Sequence, residues 1–197
     1  MWKIMKNFSR LNLGTIELTT GRLSATDPSY DKKVWCRYDM HDVKKGTWNV
    51  AVEISDEGAW GDRIAKVIIQ HKDAKNVCPE YIENIGVDTG LAGFFEDKPD
   101  YDDDWNDVCD YLREDYPTKM IVDKSSPFKC VGVCTSSGFG DGGYDLNIAK
   151  DEKGMIVYAE IVFIGEDDDD EDGYEDYYDD EYNDYYDEPD YDEEEED

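Results

Sequence analysis

Three aspartates lie where a backbone can come close to a ligand. Asp88 sits in Gly86-Val87-Asp88-Thr89-Gly90, Asp141 in Gly138-Phe139-Gly140-Asp141-Gly142-Gly143, and Asp27 directly precedes Pro28. Glycine lets the chain approach a bound group, and converging carboxylates could hold a metal or a small ligand and support hydrolysis. The plainer chemistry of Asp beside Gly is a turn, with the carboxylate accepting nearby amides. The two readings part on whether the three side chains share a pocket.

Other candidates are weaker. The run Gly138 to Gly143 lacks the Lys-Ser/Thr ending of a phosphate loop, and no helical pattern follows it. Asp97, Asp100, Asp102, Asp103 and Asp104 could hold Ca²⁺ weakly, but they lack the spacing, mid-loop glycine and closing Glu of an EF-hand. Solvated charge at a helix start explains them more simply. Of the two histidines, His41 lies in Asp39-Met40-His41-Asp42, where flanking carboxylates could tune an imidazole. No Ser or Cys nucleophile context accompanies it, so a surface histidine is expected. The five cysteines, Cys36, Cys78, Cys109, Cys130 and Cys134, form no C-x-x-C pair and read as reduced thiols packed as small hydrophobes. No cofactor or metal site is expected beyond weak Ca²⁺.

The strongest signal is electrical. Glu166 to Asp197 holds 22 of the chain's 51 Asp and Glu, no Lys or Arg, and seven Tyr. The remainder balances 29 acids against 20 bases, an ordinary −9 within a total of −31. Such a segment cannot bury enough apolar surface to offset chain entropy, so disorder is expected. At 100° per residue Tyr174, Tyr177, Tyr178, Tyr182, Tyr185 and Tyr186 fall on one half of a helical wheel. Fifteen carboxylates between Glu166 and Glu188 would give about one charge per 2.3 Å of helix, near the ~1.7 Å of duplex DNA. Repulsion opposes this helix in isolation; a basic partner surface would relieve it and accept the Tyr face. The expected contact residues are those six tyrosines with Asp176, Asp179, Asp180 and Glu181.

These features need a scaffold, and the rest of the chain reads as mainly β. Thr15 to Thr19 alternates, Thr20-Gly21 turns, and Arg22 to Thr26 reads as the return strand. Val34 to Tyr38, Thr47 to Ile54, Asp62 to Gln70, Ile85 to Gly90, Leu91 to Phe95, Phe128 to Cys134, Tyr144 to Ala149 and Met155 to Ile164 follow as strands or short apolar runs. The last is apolar enough to be buried on both faces. One helix is expected over Asp102 to Glu114, with Trp105, Val108, Cys109 and Leu112 on one stripe and Pro117 beyond it. About nine strands and one helix predict an antiparallel β sandwich or curved sheet with one packed helix over 1–165, followed by the acidic tail, 166–197. No stretch approaches the ~20 apolar residues of a membrane span, and Met1 to Arg10 carries no signal-peptide run; a soluble cytoplasmic protein is expected.

Three pieces in order, Thr20-Gly21-Arg22-Leu23 with Asp27-Pro28, Gly86 to Gly90 with Phe94-Phe95, and Gly138 to Tyr144, resemble the bacterial domain-of-unknown-function family numbered 4241. The resemblance covers Gly14 to Ile164 and implies a β-rich fold with no established activity. The acidic tail departs from that pattern and suggests a specialised member, of phage or mobile-element type. The function expected is a non-enzymatic binding protein whose tail engages a basic protein surface, such as one that otherwise holds nucleic acid. Net charge argues against direct binding of nucleic acid or an anionic membrane. The alternatives are a ligand- or metal-binding domain, or a hydrolytic one, using Asp27, Asp88 and Asp141, and autoinhibition, with the tail covering a patch of Lys32, Lys33, Lys44 and Lys45.

Overall fold

The structure is a computed structural model and describes residues 8–32, 34–100, 105–114 and 119–166. In chain order its strands are β1 (Phe8–Leu18), β2 (Leu23–Thr26), β3 (Arg37–Met40), β4 (Gly46–Asp56), β5 (Asp62–His71), β6 (Glu80–Val87) and β7 (Leu91–Phe95). A helix, α1 (Trp105–Glu114), is followed by β8 (Lys119–Val122), β9 (Gly132–Ser136), β10 (Gly142–Lys150) and β11 (Ile156–Val162). They form a six-stranded sheet, β1-β4-β5-β11-β10-β6, and a five-stranded sheet, β3-β2-β7-β9-β8. Every ladder is antiparallel. The mainly β fold read from the sequence is therefore a two-layer sandwich.

Alternation decides which side chains meet between the layers. Trp48, Val50 and Val52 of β4 and Val67 and Ile69 of β5 face Leu23, Ala25, Phe94 and Val133 of the second sheet. The opposite face of the second sheet carries its own apolar cluster, in which Leu91, Phe95 and Cys134 pack with Val108 of α1 and with Phe128. Both faces of β7 are thus covered, as are both faces of β11, where all residues but the last are buried. No helix among the described residues is long and apolar enough to cross a membrane.

The expected hairpin of Thr15–Thr19 with Arg22–Thr26 is not formed. β1 pairs with β4, whereas β2 pairs with β3 and β7 in the other sheet. Gly21, at φ 79°, turns the chain across the sandwich instead of back along it. The corner is held by a side chain: the buried Glu96 carboxylate accepts the amides of Thr19 and Thr20. Two further strands escaped the periodicity, β8 entirely and β6 before Ile85. The expected helix is present over Trp105–Glu114; residues 101–104 lie outside the described residues, as do the side chains of Trp105, Cys109 and Leu112. So do Trp2, Ile4 and Met5; Phe8 packs on the core from β1.

Candidate functional site

Asp27 ends β2 fully buried, and its carboxylate joins two of the motif segments. It accepts the amides of Asp88 at 3.0 Å and Thr89 at 2.9 Å, the Thr89 hydroxyl at 2.8 Å, and the Ser29 amide at 3.0 Å. A buried carboxylate with this many donors is a structural acceptor. Asp88 accepts the Tyr30 hydroxyl, and that bond pushes the phenol up to about 12. The third segment joins through the ladder, because Gly142 pairs with Val87. Asp141 beside it is exposed. The three aspartates therefore come to one end of the sandwich with different roles, and no group of metal-binding side chains occurs among the described residues.

The glycine run is a packed turn. Tyr144 donates its hydroxyl to the carbonyls of Gly140 and Ser137, the Ser137 amide bonds Gly90, and β10 follows. Gly138, at φ 59°, lies against Phe163 and Ile164. At the same end Gly86 donates its amide to the Trp35 carbonyl and carries the indole so closely that an added Cβ would lie 1.8 Å from it.

Of the proposed calcium cluster, Asp102 to Asp104 lie outside the described residues. Asp97 forms a two-bond pair with the Arg22 guanidinium, which holds its carboxyl below the usual range, and Asp100 accepts the Lys32 amide at 2.9 Å. Both face cations of the protein itself. His41 is exposed, but His71 is only 3 % exposed: its ring accepts the Asp73 amide and packs edge-on against Trp48. Cys36, Cys130 and Cys134 are buried, and burial pushes the first two thiols up to about 11; Cys78 is exposed. The side chain of Cys109 and the whole of 167–197, with its tyrosines and Asp176, Asp179, Asp180 and Glu181, lie outside the described residues.

Among the described residues two concavities bear on binding. The larger, about 710 Å³, lies at one end of the first sheet between the 73–78 loop and the β10–β11 turn. Its rim carries Lys44, Lys75, Lys150 and Lys153, and Lys44 is paired with Asp151 at 3.2 Å. The smaller, about 220 Å³, lies on the outer face of the second sheet and is lined by Arg22, Lys32, Arg37, His41 and Lys98, with Asp39 and Asp97. Lys32 and Lys44 thus open onto different concavities, and Lys33 is outside the described residues.

Sequence reasoning passed over Arg37, Glu96 and Lys98. The Arg37 side chain is 2 % exposed. Its Nε donates to Asp39 at 2.9 Å and its Nη2 to the Lys98 carbonyl at 2.8 Å and Ser24 at 3.1 Å. Lys98 is 1 % exposed and donates to the Tyr30 carbonyl at 2.8 Å; burial, then the neighbouring Arg37 charge, lowers its ammonium to about 8. The available signal was Glu96-Asp97-Lys98-Pro99, charges that directly follow the buried run Leu91–Phe95 and so must enter the fold with it. Comparison with family models, with curated proteins and with solved structures finds no match to this chain.

Proposed function

We propose that the protein is a binding protein that uses residues 166–197 to engage a basic protein surface, of the kind that otherwise holds nucleic acid. The observation that carries this reading is the segregation of charge: 22 acids and no base follow directly on Phe163 and Ile164, the last core residues. A segment of that density attracts a cationic surface strongly at low salt and weakly at high salt. Its tyrosines supply flat apolar area for the contact. In the resemblance to family 4241 we read a divergent member, a view supported by the three motif segments being hydrogen-bonded neighbours at one end of the sandwich.

The test compares the full chain with one ending at Gly165 in pull-downs from a bacterial lysate at low and high salt. Capture of basic nucleic-acid-handling proteins by the full chain alone, lost at high salt and competed by DNA, is expected. Equal capture by both chains would sink the reading.

A further inference from the structure

We propose that the pocket on the outer face of the second sheet, lined by Arg22, Lys32, Arg37, His41 and Lys98, binds a tetrahedral oxyanion: phosphate, free or as the phosphoryl group of a small molecule. The charge on its walls is the first argument. Four cationic side chains and two carboxylates line it, with Asp31 and Asp100 behind Lys98 and Arg37, in a chain of net charge −31. Asp39 and Asp97 are already engaged, one by Arg37 and Ser24, the other by Arg22. Both pairs fix the direction in which the guanidinium groups point.

The second argument is an unmet donor. Arg37 Nη1 is buried and has no hydrogen-bond partner among the described residues; the Asp100 carboxylate stands 3.7 Å away, within ion-pair reach but beyond a hydrogen bond. A buried guanidinium nitrogen left this way carries a desolvation cost that an anion would remove. The cations also arrive from different directions, Arg22 from the β1–β2 corner, Lys32 from the β2–β3 connection, Arg37 from the start of β3, and Lys98 from the segment after β7. Donors spread in this way suit the oxygens of a tetrahedral group better than a planar carboxylate, which one guanidinium fork satisfies. A volume of about 220 Å³ admits a phosphate with a short substituent and little more.

A bound dianion would also favour the charged form of Lys98. That ammonium is faced by Arg37 from β3, by Asp31 and the Tyr30 carbonyl from the β2–β3 connection, by Asp100 and by Cys130. Binding should therefore weaken as pH rises through about 8.

The experiment titrates the full chain with inorganic phosphate, methyl phosphate and acetate at constant ionic strength, read by thermal shift and by amide chemical shifts. Both phosphates should give a saturable rise in Tm with shifts at Ser24, Lys32 and Lys98, and acetate should not. Preference between the two phosphates tells free anion from phosphoryl group. Arg22→Gln with Lys32→Gln, both at exposed positions, should weaken binding at least ten-fold, whereas Lys75→Gln with Lys153→Gln in the larger concavity should not change it. Phosphate behaving as chloride does, acetate binding equally, or the Arg22/Lys32 double variant titrating like the parent would overturn the proposal.

Discussion

The two sheets of the sandwich carry concavities of different construction. Around the larger one the Asp151 carboxylate accepts the amides of Lys153 and Met155 within its own turn and pairs with the partly exposed Lys44, while Lys75, Lys150 and Lys153 stand in solvent. On the second sheet the bonds join distant segments, Arg37 to Lys98, Lys98 to Tyr30, and nearby Asp27 to Thr89. Bonds of the first kind hold a turn whatever surrounds it. Those of the second kind exist only when the fold closes, and closing it strips water from the charges they hold. The difference teaches that volume is a poor guide to recognition here. The smaller space has the desolvated donors, and a solvated lysine gains little from any one anion.

Removing matched residues from the two sheets should expose this contrast. Asp27→Ala leaves the Asp88 and Thr89 amides without their acceptor and should lose about 3 kcal/mol in urea denaturation, while Asp151→Ala stays close to the parent. Equal losses would mean that the Asp27 corner is no more than a turn. Arg37→Met should cost about 2 kcal/mol through the orphaned Lys98 carbonyl and the Asp39 carboxylate left without its cation; Lys44→Met, at the other concavity, should leave stability almost unchanged. Thiol labelling followed by peptide mapping gives a third contrast. Cys78, on the rim of the larger concavity, should label in the native state, and Cys36, Cys130 and Cys134 only on unfolding.

The gentlest effect is on pH dependence. Lys98 has its folded pKa lowered from 10.5 to about 8, so between these values the unfolded chain holds the extra proton. Stability should therefore rise with pH across that window relative to Lys98→Met, and the two should run parallel below pH 8. A flat difference would show that the Lys98 ammonium is hydrated in the fold.

Much of this architecture was legible in the sequence, and the errors share a cause. Strands with neighbours on both sides, β4, β5, β10 and β11, showed the alternation or the continuous apolar run that burial demands. The misplaced ones, β1 before Gly14, β3, the first half of β6, and β8, all lie at sheet edges. There one side meets water, and residues such as Arg10, Asn12, Glu80 and Glu83 blur the period. The Gly21 corner was misread because a turn signal says that the chain reverses, not which sheet it enters. Of the site residues, Asp27 and Asp88 were found through their glycine and proline neighbours. Arg37 was not, since a charge buried by contacts 61 residues away leaves no local mark, and for Lys98 the mark was only its place directly after the buried run Leu91–Phe95.

Gly86 and Trp35 bear on how this molecule meets others. β6 is the last strand of its sheet, and its outward amide at Gly86 is already taken by the Trp35 carbonyl, with the indole lying across the glycine. A partner that docks by adding a strand finds that stretch of ladder closed. Any side chain at position 86 would push the indole aside and reopen it, so the first symptom of Gly86→Ala should be self-association through the uncovered edge rather than loss of the fold. A glycine chosen for closeness thus serves as a guard against polymerisation.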